Sequence, residues 1–415
     1  MTQLSPIRLI GKPQLQRPLS WNIANTTIAR LQVILKTVER CNINCSYCYY
    51  FNGGDNSWEA RPPVILPNAV EATAQFLVAG ARDLGIPEVQ IVFHGGEPMM
   101  QSKDRFDQMC RTLYAAFSDS GIVLTLAMQT NGTLVDEEWC DLLSRYRVGV
   151  GISLDGPKHV NDKYRLDHKG RSTYDATVAG LKCLRDYEAR TNSSFGLGSL
   201  TVINPEYDYA EIYRHLTKDL GFRKVGFLLP DCCHDTYPQL GASQESYGKA
   251  LRDIFDVWRA SPIAQITHIE RAFRFFRNGE LSLPVPAGER LALDNQIIVV
   301  HSDGTISIDD SLIPASGWRN TLSKGNTATT SLRQWLNSDF YADIFMARRD
   351  LPAPCQPFSW KNLCQGGDIE NRYSAADNFA RPSVFCGALD AFYGHLTSYL
   401  LDNGYPDDVM LNKLS

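Results

Sequence analysis

Short apolar or β-branched runs alternate with amphipathic helical stretches along most of the chain, and this alternation limits the possible fold more than any other feature. It is typical of βαβ units built around a parallel sheet. The runs predicted as strands are 31–37, 88–93, 122–128, 149–153, 197–202 and 224–228. The stretches predicted as helices are 68–85, 103–118, 135–146, 174–187 and 207–220. The sequence therefore predicts an α/β fold whose core is an open, partial (β/α)6 TIM barrel.

A second module is predicted after the barrel. Residues 244–276 have helical periodicity, and the proline-containing stretch 284–286 that follows them indicates a linker. Residues 296–300 and 305–308 flank the turn Ser302-Asp303-Gly304 and predict a β-hairpin at the start of a smaller α+β module. The predicted N-terminal extension, barrel, helical linker and C-terminal module cover residues 1–30, 31–240, 241–292 and 293–415.

Composition excludes several classes of function. The chain has 415 residues and a formal net charge of -5, so it offers no basic field for nucleic acid. It contains no run of roughly 18–20 apolar residues that could span a membrane. Residues 1–18 lack the apolar core of a signal peptide. We therefore expect a cytoplasmic protein with neither nucleic acid nor membrane as a partner.

The 11 cysteines indicate metal binding or catalysis, because a chain of this size in a reducing compartment has no need of disulfides. Cys41, Cys45 and Cys48 directly follow the first predicted strand, at the end where barrel active sites form. Three thiolates can hold three irons of a [4Fe-4S] cluster and leave the fourth iron open to an amine and a carboxylate. A zinc knuckle or chance clustering are the alternatives. Zinc usually needs a fourth ligand, however, and no further Cys or His lies nearby.

This CX3CX2C loop is the signature of the radical S-adenosylmethionine (SAM) superfamily, which the sequence resembles over roughly residues 31–230. The resemblance implies that SAM binds the open iron and is cleaved to a 5'-deoxyadenosyl radical, with electrons from a donor such as flavodoxin or ferredoxin. It implies SAM contacts by Tyr47, Gly95, Gly96, Glu97, Gln129, Asn131, Ser153, Arg165, Leu200 and Val202. A solvated Arg165, and simple core packing of Leu200 and Val202, are the alternatives.

The C-terminal module resembles the SPASM-type module of radical SAM peptide maturases. The residues that carry this resemblance are Cys355, Cys364, Gly366-Gly367, Asn371-Arg-Tyr-Ser and Arg381-Pro-Ser-Val-Phe-Cys386. The order of these elements is most similar to the maturases that form three-residue cyclophanes, the triceptide group. The resemblance implies a ribosomal precursor peptide, made of leader and core, as the substrate.

The module departs from the full SPASM pattern, which has seven or more cysteines and two auxiliary clusters. Phe358 and Asp368 stand where further cysteines are expected, and Asp309 stands near another expected ligand. We therefore expect one auxiliary cluster on the trio Cys355, Cys364 and Cys386, with a non-cysteine or substrate fourth ligand. Zinc or a bare structural trio are the alternatives.

The reaction implied is removal of a side-chain β-hydrogen, followed by a crosslink to an aromatic ring of the same peptide. A proton must leave, and Asp310 and Asp231 are candidate acceptors; turn-capping aspartates are the alternative. Formylglycine formation, as in anaerobic sulfatase maturases, is a second hypothesis, and a non-catalytic iron-sulfur protein is a third. Because few residues precede the first strand, we expect the leader to dock on the barrel or the C-terminal module.

The remaining cysteines are interpreted as structural. Cys110, Cys140 and Cys183 lie on predicted helices and are expected to be small buried hydrophobic residues. Cys232 and Cys233 are adjacent, which is a poor geometry for binding one metal together. A position in the substrate cavity is the alternative for this pair.

Overall fold

The computed structural model describes residues 22–23, 26–278, 291–318 and 323–414. Its strands are β1 Thr26–Val38, β2 Ile43–Cys45, β3 Glu88–Gly95, β4 Val123–Thr130, β5 Gly149–Ser153, β6 Arg165–Asp167, β7 Gly198–Val202, β8 Lys224–Leu228, β9 Gln265–Ile266, β10 Leu291–Val300, β11 Thr305–Ser307 and β12 Ser323–Asn326. None of the helices in these ranges combines the length and the apolar character that crossing a bilayer requires.

The helices of the first half lie between the strands of the barrel. They are α1 Tyr49–Asn52, α2 Pro67–Leu84, α3 Lys103–Phe117, α4 Glu137–Arg145, α5 Lys158–Asn161, α6 Tyr174–Thr191 and α7 Tyr209–Arg214. The helices of the second half are α8 Gln244–Ala260, α9 Thr267–Asn278, α10 Leu332–Leu336, α11 Asp339–Arg349, α12 Lys361–Cys364, α13 Cys386–Asp402 and α14 Asp407–Leu414.

The main sheet is mostly parallel, in the order β12-β11-β10-β1-β3-β4-β5-β7-β8-β9. The seven strands from β1 to β9 in this order pair in parallel, and helices cross over between them. The predicted α/β fold with a partial barrel is therefore confirmed. All the predicted strands are present, and β1 begins at Thr26, earlier than expected.

Successive side chains along each strand point alternately to the face that packs against the helices and to the face that lines the barrel interior. On β3, Val89, Ile91 and Phe93 are fully buried under the helices, and Phe93 meets Phe106 of α3 edge to face at 5.1 Å. Full burial of such side chains stabilises the fold by about 1.5–3 kcal/mol each. The alternate residues of β3, ending with His94, are only half-buried and face the barrel interior. The carboxyl ends of the strands therefore present polar side chains to one internal space.

The prediction of continuous helix over residues 244–276 is wrong. Helix α8 ends at Ala260 because Ser261 precedes Pro262, and a residue before proline is forced out of helical conformation. The chain then forms β9, which pairs with β8, before α9 begins. The predicted linker at 284–286 lies outside the described residues.

The C-terminal module joins the barrel sheet. The predicted hairpin is confirmed as β10 and β11, with Val300 opposite Ile306. Strand β10 also pairs in parallel with β1 over most of its length, so it continues the sheet at the edge of the barrel. Farther along the module, α13 packs against α8, where the rings of Phe385 and Tyr247 meet at 4.9 Å.

Candidate active site

The three N-terminal cysteines lie on one loop between β1 and α1. Strand β2 pairs with β6 so that Cys45 is opposite Arg165, and the Cys48 N–H donates to the Cys45 carbonyl at 2.9 Å. Burial raises the pKa of Cys41 to about 12, and the Cys45 and Cys48 thiols contribute in the same direction. Thiols so close together stay protonated unless a cation compensates them. The loop therefore fits an iron-sulfur cluster, whose irons supply that charge.

Two glycines hold the cysteine loop against β3. A Cβ on Gly95, which has a φ of +134°, would lie 2.0 Å from the Val38 carbonyl oxygen. A Cβ on Gly96 would lie 2.0 Å from the Arg40 carbonyl oxygen. The Gly96 N–H donates to Val38 at 2.7 Å, and the Glu97 N–H donates to Arg40 at 3.0 Å. Only glycine allows this close approach of two backbones, so the pair determines where the loop begins.

Glu97 connects the turn after β3 to the end of β4. Its carboxylate is fully buried and accepts hydrogen bonds from Met99 N at 3.0 Å, Thr130 Oγ1 at 2.7 Å and Asn131 N at 2.7 Å. Burial raises the pKa of Glu97, and these donors oppose that effect. Asn131 in turn donates to Asn42 of the cysteine loop at 2.9 Å. The described contacts of Glu97 therefore support the loop from within the protein.

Tyr47, Arg165 and Asp155 form a buried network beside the cysteine loop. The Tyr47 hydroxyl donates to Asp155 Oδ2 at 2.8 Å, and Arg165 Nη1 donates to that hydroxyl at 2.9 Å. Val202 N donates to the other Asp155 oxygen at 3.2 Å. Burial would lower the pKa of Arg165, but Tyr47, Cys45 and Asp155 outweigh burial and raise it. Arg165 is only 7% exposed, so the alternative of a solvated arginine is wrong.

Asp155 was absent from the predicted site residues. It lies two residues after the end of β5 and precedes Gly156, and this position after a strand is a signal that could have identified it. Burial raises its pKa, and Arg165 opposes that effect. Asp155 therefore belongs to the network that places a guanidinium beside the thiols.

The remaining predicted SAM residues lie on the interior face of the neighbouring strands. Gln129 Nε2 donates to Ser153 Oγ at 2.8 Å across β4 and β5. A Cβ on Gly151 would lie 2.2 Å from Gln129 Oε1, so glycine leaves space for that side chain. Leu200 and Val202 are half-buried on the same face of β7. The structure thus brings the predicted residues together around the carboxyl ends of β1, β3, β4, β5 and β7.

A second network also adjoins the cysteine loop, and Asp310 is its one member that was predicted as a site residue. Lys36 is fully buried on β1, forms an ion pair with Asp310 and lies 3.3 Å from His94 Nδ1. Tyr49, which directly follows Cys48, donates to Asp310 Oδ2 at 2.8 Å. A lysine inside the apolar run of the first strand is the signal that could have identified this network.

Charges in this second network set the protonation states of its members. Burial alone would raise the pKa of Asp310, but the charge and hydrogen bond of Lys36, together with His94 and the Tyr49 hydrogen bond, outweigh burial and lower it. Burial, assisted by Lys36, lowers the pKa of His94 to about 4. At neutral pH Asp310 is therefore a carboxylate and His94 a neutral imidazole.

Asp231 follows the end of β8 and faces the same internal space. Its side chain retains exposed surface, and it interacts electrostatically with Asp310 and Tyr49. Burial, with smaller contributions from Asp310, Asp368 and Asp309, raises its pKa to about 8. The two predicted proton acceptors therefore differ in character: Asp310 is held as an anion by Lys36, whereas Asp231 exchanges a proton near neutral pH.

The C-terminal cysteines form a second group of thiols. Cys355 and Cys364 are buried and Cys386 is half-buried. Burial raises the pKa of Cys364 to about 11, and the Cys386 and Cys355 thiols contribute to that increase. The fold therefore gathers three cysteines that are distant in sequence, and the group fits a cluster that supplies positive charge. Among the described residues, no group of three or more Cys, His, Asp or Glu is arranged to hold a single metal ion.

Asp309 and Asp368, which stand where cysteines were expected, interact with nearby arginines. Arg348 donates to Asp309 Oδ2 at 3.1 Å. Burial raises the pKa of Asp368, while Arg271 and Arg348 oppose that effect. Burial also raises the pKa of the neighbouring Glu370 well above its usual range, and Asp368 adds to the increase. The region is therefore acidic.

The other cysteines have structural surroundings. Cys110 and Cys140 are fully buried, and Cys183 is half-buried with its sulfur 3.8 Å from that of Cys140. Cys232 and Cys233 are also buried. The Cys233 thiol donates to the Pro314 carbonyl at 3.3 Å, and the Cys232 carbonyl accepts from Asn371 Nδ2 at 2.8 Å. These last two contacts connect the end of β8 to the C-terminal module.

Comparison with known proteins finds one matching family model and several relatives, among them anaerobic sulfatase-maturating enzymes. The family model described as the radical SAM superfamily matches residues 35–216. The cysteine-type anaerobic sulfatase-maturating enzyme of Clostridium perfringens (strain 13 / Type A) is 22% identical over 370 residues, covering 87% of this chain and 95% of that protein. The serine-type enzyme of Klebsiella aerogenes is 26% identical over 382 residues, covering 87% and 83%.

Solved structures have the same fold. The structure described as native anSMEcpe with bound AdoMet has a TM-score of 0.74 at 19% identity, covering 90% of this chain and 98% of the other. Streptococcus suis SuiB bound to S-adenosylmethionine has a TM-score of 0.53 at 15% identity, covering 87% and 76%. At these identities the similarity shows the architecture, a barrel followed by a C-terminal module.

Proposed function

We propose that this chain, which is a radical SAM enzyme, removes a hydrogen from a side-chain β-carbon of a peptide and joins that carbon to an aromatic ring of the same peptide. A peptide substrate is supported by the relatives, which are maturases of sulfatases, and by a related structure solved with a bound peptide. That structure has a TM-score of 0.74 and covers 90% of this chain.

The residues present fit the two cofactors. Cys41, Cys45 and Cys48 would hold the [4Fe-4S] cluster, and the buried Arg165 guanidinium would pair with the SAM carboxylate. Tyr47 keeps Arg165 in place through its hydroxyl. When bound, the cluster and SAM supply reductive cleavage of SAM and abstraction of a substrate hydrogen atom.

One observation carries the proposal: two carboxyl groups, Asp310 and Asp231, interact with Tyr49 at the end of the cysteine loop. Asp310 accepts a hydrogen bond from Tyr49, and Tyr49 directly follows Cys48. Forming a crosslink removes two hydrogens from the peptide, of which one leaves as a hydrogen atom and the other as a proton and an electron. A proton acceptor is therefore required where the hydrogen is removed.

The chain's own residues divide this task. Lys36 keeps Asp310 ionised and oriented, which suits a carboxylate that positions substrate. Asp231 interacts electrostatically with Asp310 and has a pKa of about 8, so its carboxylate is the stronger base of the two. The electron needs a separate acceptor, and the trio Cys355, Cys364 and Cys386 is the place in this chain where one could be held.

Formylglycine formation is the second candidate function. It is favoured by the sulfatase-maturating relatives, which match 87% of this chain. The C-terminal module argues for a different reaction, because Asp309 and Asp368 stand where further cysteines are expected and interact with Arg348. A module with one thiol trio provides for fewer clusters than the full pattern that the sequence resembles.

The experiment uses anaerobically reconstituted protein with SAM and dithionite. One set of peptides comes from short precursors encoded beside this gene, and the other carries a cysteine or serine in a sulfatase context. Crosslinking predicts loss of two hydrogens, missing fragment ions between the joined residues and no reaction with hydrazine reagents. Formylglycine predicts a hydrazine-reactive aldehyde in the sulfatase peptide.

The outcomes separate the proposals. An aldehyde in the sulfatase peptide and an unmodified precursor overturn the crosslinking proposal in favour of formylglycine formation. A variant with Cys41, Cys45 and Cys48 all replaced by alanine is the control and should release no 5'-deoxyadenosine. Equal release from this variant and from the wild type would contradict the assignment of the cluster loop.

A further inference from the structure

Arg372 is a buried cation of the C-terminal module without a described counter-charge. Its side chain is 2% exposed. Nη1 donates to the Ala347 carbonyl at 2.6 Å, and Nη2 donates to the carbonyls of Asp350 at 3.2 Å and Phe379 at 2.8 Å. All these acceptors are neutral backbone groups. The Asp350 carboxylate pairs instead with Arg349, and no ion pair of Arg372 occurs in the described part of the chain.

One donor of this guanidinium has no acceptor among the residues that the structure describes. The Nε atom of Arg372 is buried and unpaired. The group lies beside the C-terminal thiols, since a Cβ on Gly366, two residues after Cys364, would be 3.4 Å from Arg372 Nη1. Burial raises the pKa of Cys355, and the Arg372 charge opposes that effect. The unpaired donor and the uncompensated charge are therefore next to the thiol trio.

Both features are unfavourable unless an anion binds there. A buried charge without an opposite charge and a buried N–H without an acceptor both destabilise the folded state, because each has lost its interactions with water. Three thiolates around an iron-sulfur core make a site whose net charge is negative and becomes more negative on reduction. Such a group would supply both the missing charge and acceptor sulfurs.

We propose that Arg372 is a positioning residue for an iron-sulfur cluster on Cys355, Cys364 and Cys386, where it compensates the cluster's negative charge and its Nε–H is available to a cluster sulfur. Because a nearby positive charge favours the reduced state, Arg372 also raises the reduction potential of that cluster. This inference rests on the proposed C-terminal cluster and is independent of which peptide reaction the enzyme performs.

The experiment isolates the C-terminal cluster. The parent protein carries alanine at Cys41, Cys45 and Cys48, so that iron and sulfide after anaerobic reconstitution report the C-terminal site. Arg372→Gln removes the charge, and Arg372→Lys keeps the charge but removes the planar guanidinium with its Nε–H donor. Arg333→Gln is the matched control, because Arg333 lies at the surface of the same module, where it pairs with Asp83 of α2. Iron content, electronic absorption, and the midpoint potential from an electron-paramagnetic-resonance titration are measured for each.

We expect Arg372→Gln to lose most of the iron, or to keep a cluster whose potential is more negative than that of the parent. Arg372→Lys should be intermediate and Arg333→Gln should match the parent. Unchanged iron and potential in a folded Arg372→Gln protein overturn the proposal and leave Arg372 a packing residue. If circular dichroism shows that Arg372→Gln does not fold, Arg372→Lys decides by the same two measurements.

Two further outcomes keep the proposals apart. A parent protein that binds no iron overturns both the C-terminal cluster and the role of Arg372, whatever the peptide assays give. With the N-terminal cysteines restored, Arg372→Gln should keep the N-terminal cluster and SAM-dependent release of 5'-deoxyadenosine. Loss of both clusters together would indicate general misfolding and would contradict a specific role for Arg372.

Discussion

Lys36 shows how one residue in an apolar strand can organise a site. Its side chain is fully buried, and its partners Asp310 and His94 come from two other parts of the chain. A buried lysine is stable only with a partner of opposite charge, and Asp310 is that partner. The ion pair therefore ties the C-terminal module to the first barrel strand at the place where chemistry is proposed.

Lys36→Met should be strongly destabilising. Removing one member of a buried ion pair leaves Asp310 uncompensated, so we expect a loss of about 3–5 kcal/mol in the free energy of unfolding. The double variant Lys36→Met with Asp310→Asn should recover part of that loss, because neither charge then remains. Urea denaturation monitored by circular dichroism measures both.

The control for this prediction is Lys103→Met. Lys103 forms ion pairs with Asp136 and Glu138 in which the side chains are 30% to 75% exposed. Exposed pairs contribute about 0–1 kcal/mol, so this variant should remain close to the wild type. Equal losses for the two lysine variants would mean that the buried Lys36 ion pair contributes no more to the free energy of unfolding than an exposed pair.

Asp231→Asn should change how stability depends on pH. Burial, followed by Asp310 and Asp368, raises the Asp231 pKa from 3.8 to about 8. A pKa raised on folding gives stability that is fully present below the unfolded value and is lost as the pH rises through the folded value. The asparagine variant stays neutral, so its melting temperature relative to that of the wild type should rise as the pH increases from about 4 to about 8, the range between the unfolded and the folded pKa. A difference that stays constant would show that Asp231 does not titrate here.

The same substitution should separate hydrogen abstraction from product formation. If Asp231 accepts the substrate proton, Asp231→Asn should lower crosslinked product by roughly 10²–10⁴-fold. Release of 5'-deoxyadenosine should fall much less. The ratio of the two products, measured by liquid chromatography, is the readout. A parallel fall of both would assign Asp231 to substrate binding instead.

The connection between β3 and the cysteine loop depends on backbone geometry. Gly96 N donates to the Val38 carbonyl at 2.7 Å, and Glu97 N donates to the Arg40 carbonyl at 3.0 Å, both just before the cysteine loop. Glu97 then bonds to Thr130 and Asn131, so the ends of β1, β3 and β4 form one hydrogen-bonded unit. The loop is thereby placed by neighbouring strands as well as by its own residues.

Gly96→Ala should displace the cysteine loop. The added methyl would lie 2.0 Å from the Arg40 carbonyl oxygen and 2.8 Å from Cys41 N, and both are backbone atoms that cannot rotate away. We expect a loss of about 1–3 kcal/mol in stability and a clear loss of N-terminal cluster iron. Iron analysis and thermal melts measure these effects.

Gly85→Ala is the matched control for the loop prediction. Gly85 has a φ of +68° after α2, and a Cβ there meets no atom within 4 Å. The variant should lose about 1 kcal/mol from backbone strain alone and should keep its iron. Equal iron loss in both variants would mean that the loop position does not depend on the Gly96 contact.

The molecule as a whole is held together by the sheet that crosses from barrel to C-terminal module. Strand β10 pairs with β1, and its Ile298, Val299 and Val300 are fully buried. Helix α13 covers the apolar side of α8, where Leu251 and Phe255 are buried. Neither half therefore closes its own core.

A chain that ends at residue 278 should fail to form a stable barrel. It would expose the open edge of β1 and the apolar side of α8, and exposed strand edges with apolar surface promote association. We expect aggregation, or a broad thermal transition with loss of N-terminal cluster binding. Analytical ultracentrifugation and melting curves test this. A monomer with the wild-type melting temperature would contradict the prediction.

The features that the sequence alone determined are the local ones. The hydrophobic periodicity of strands and helices predicted the alternating elements of the barrel, because each periodicity can be recognised within a short stretch of sequence. The position of Cys41, Cys45 and Cys48 directly after a strand predicted a cluster loop at the active end of the barrel. Residues 149–153 and 224–228 are strands as predicted.

Only the tertiary structure decided the contacts between distant residues. Asp310 forms an ion pair with Lys36, which is 274 residues away in sequence. The Arg372 guanidinium lies beside the trio Cys355, Cys364 and Cys386, and the spacing of these residues in the sequence does not predict that contact. Strand β10 joins β1, and β9 interrupts an expected helix by pairing with β8. These contacts form only when elements distant in sequence pack against each other. A buried charge finds its counter-charge on another element, so the sequence of one segment cannot predict the pair.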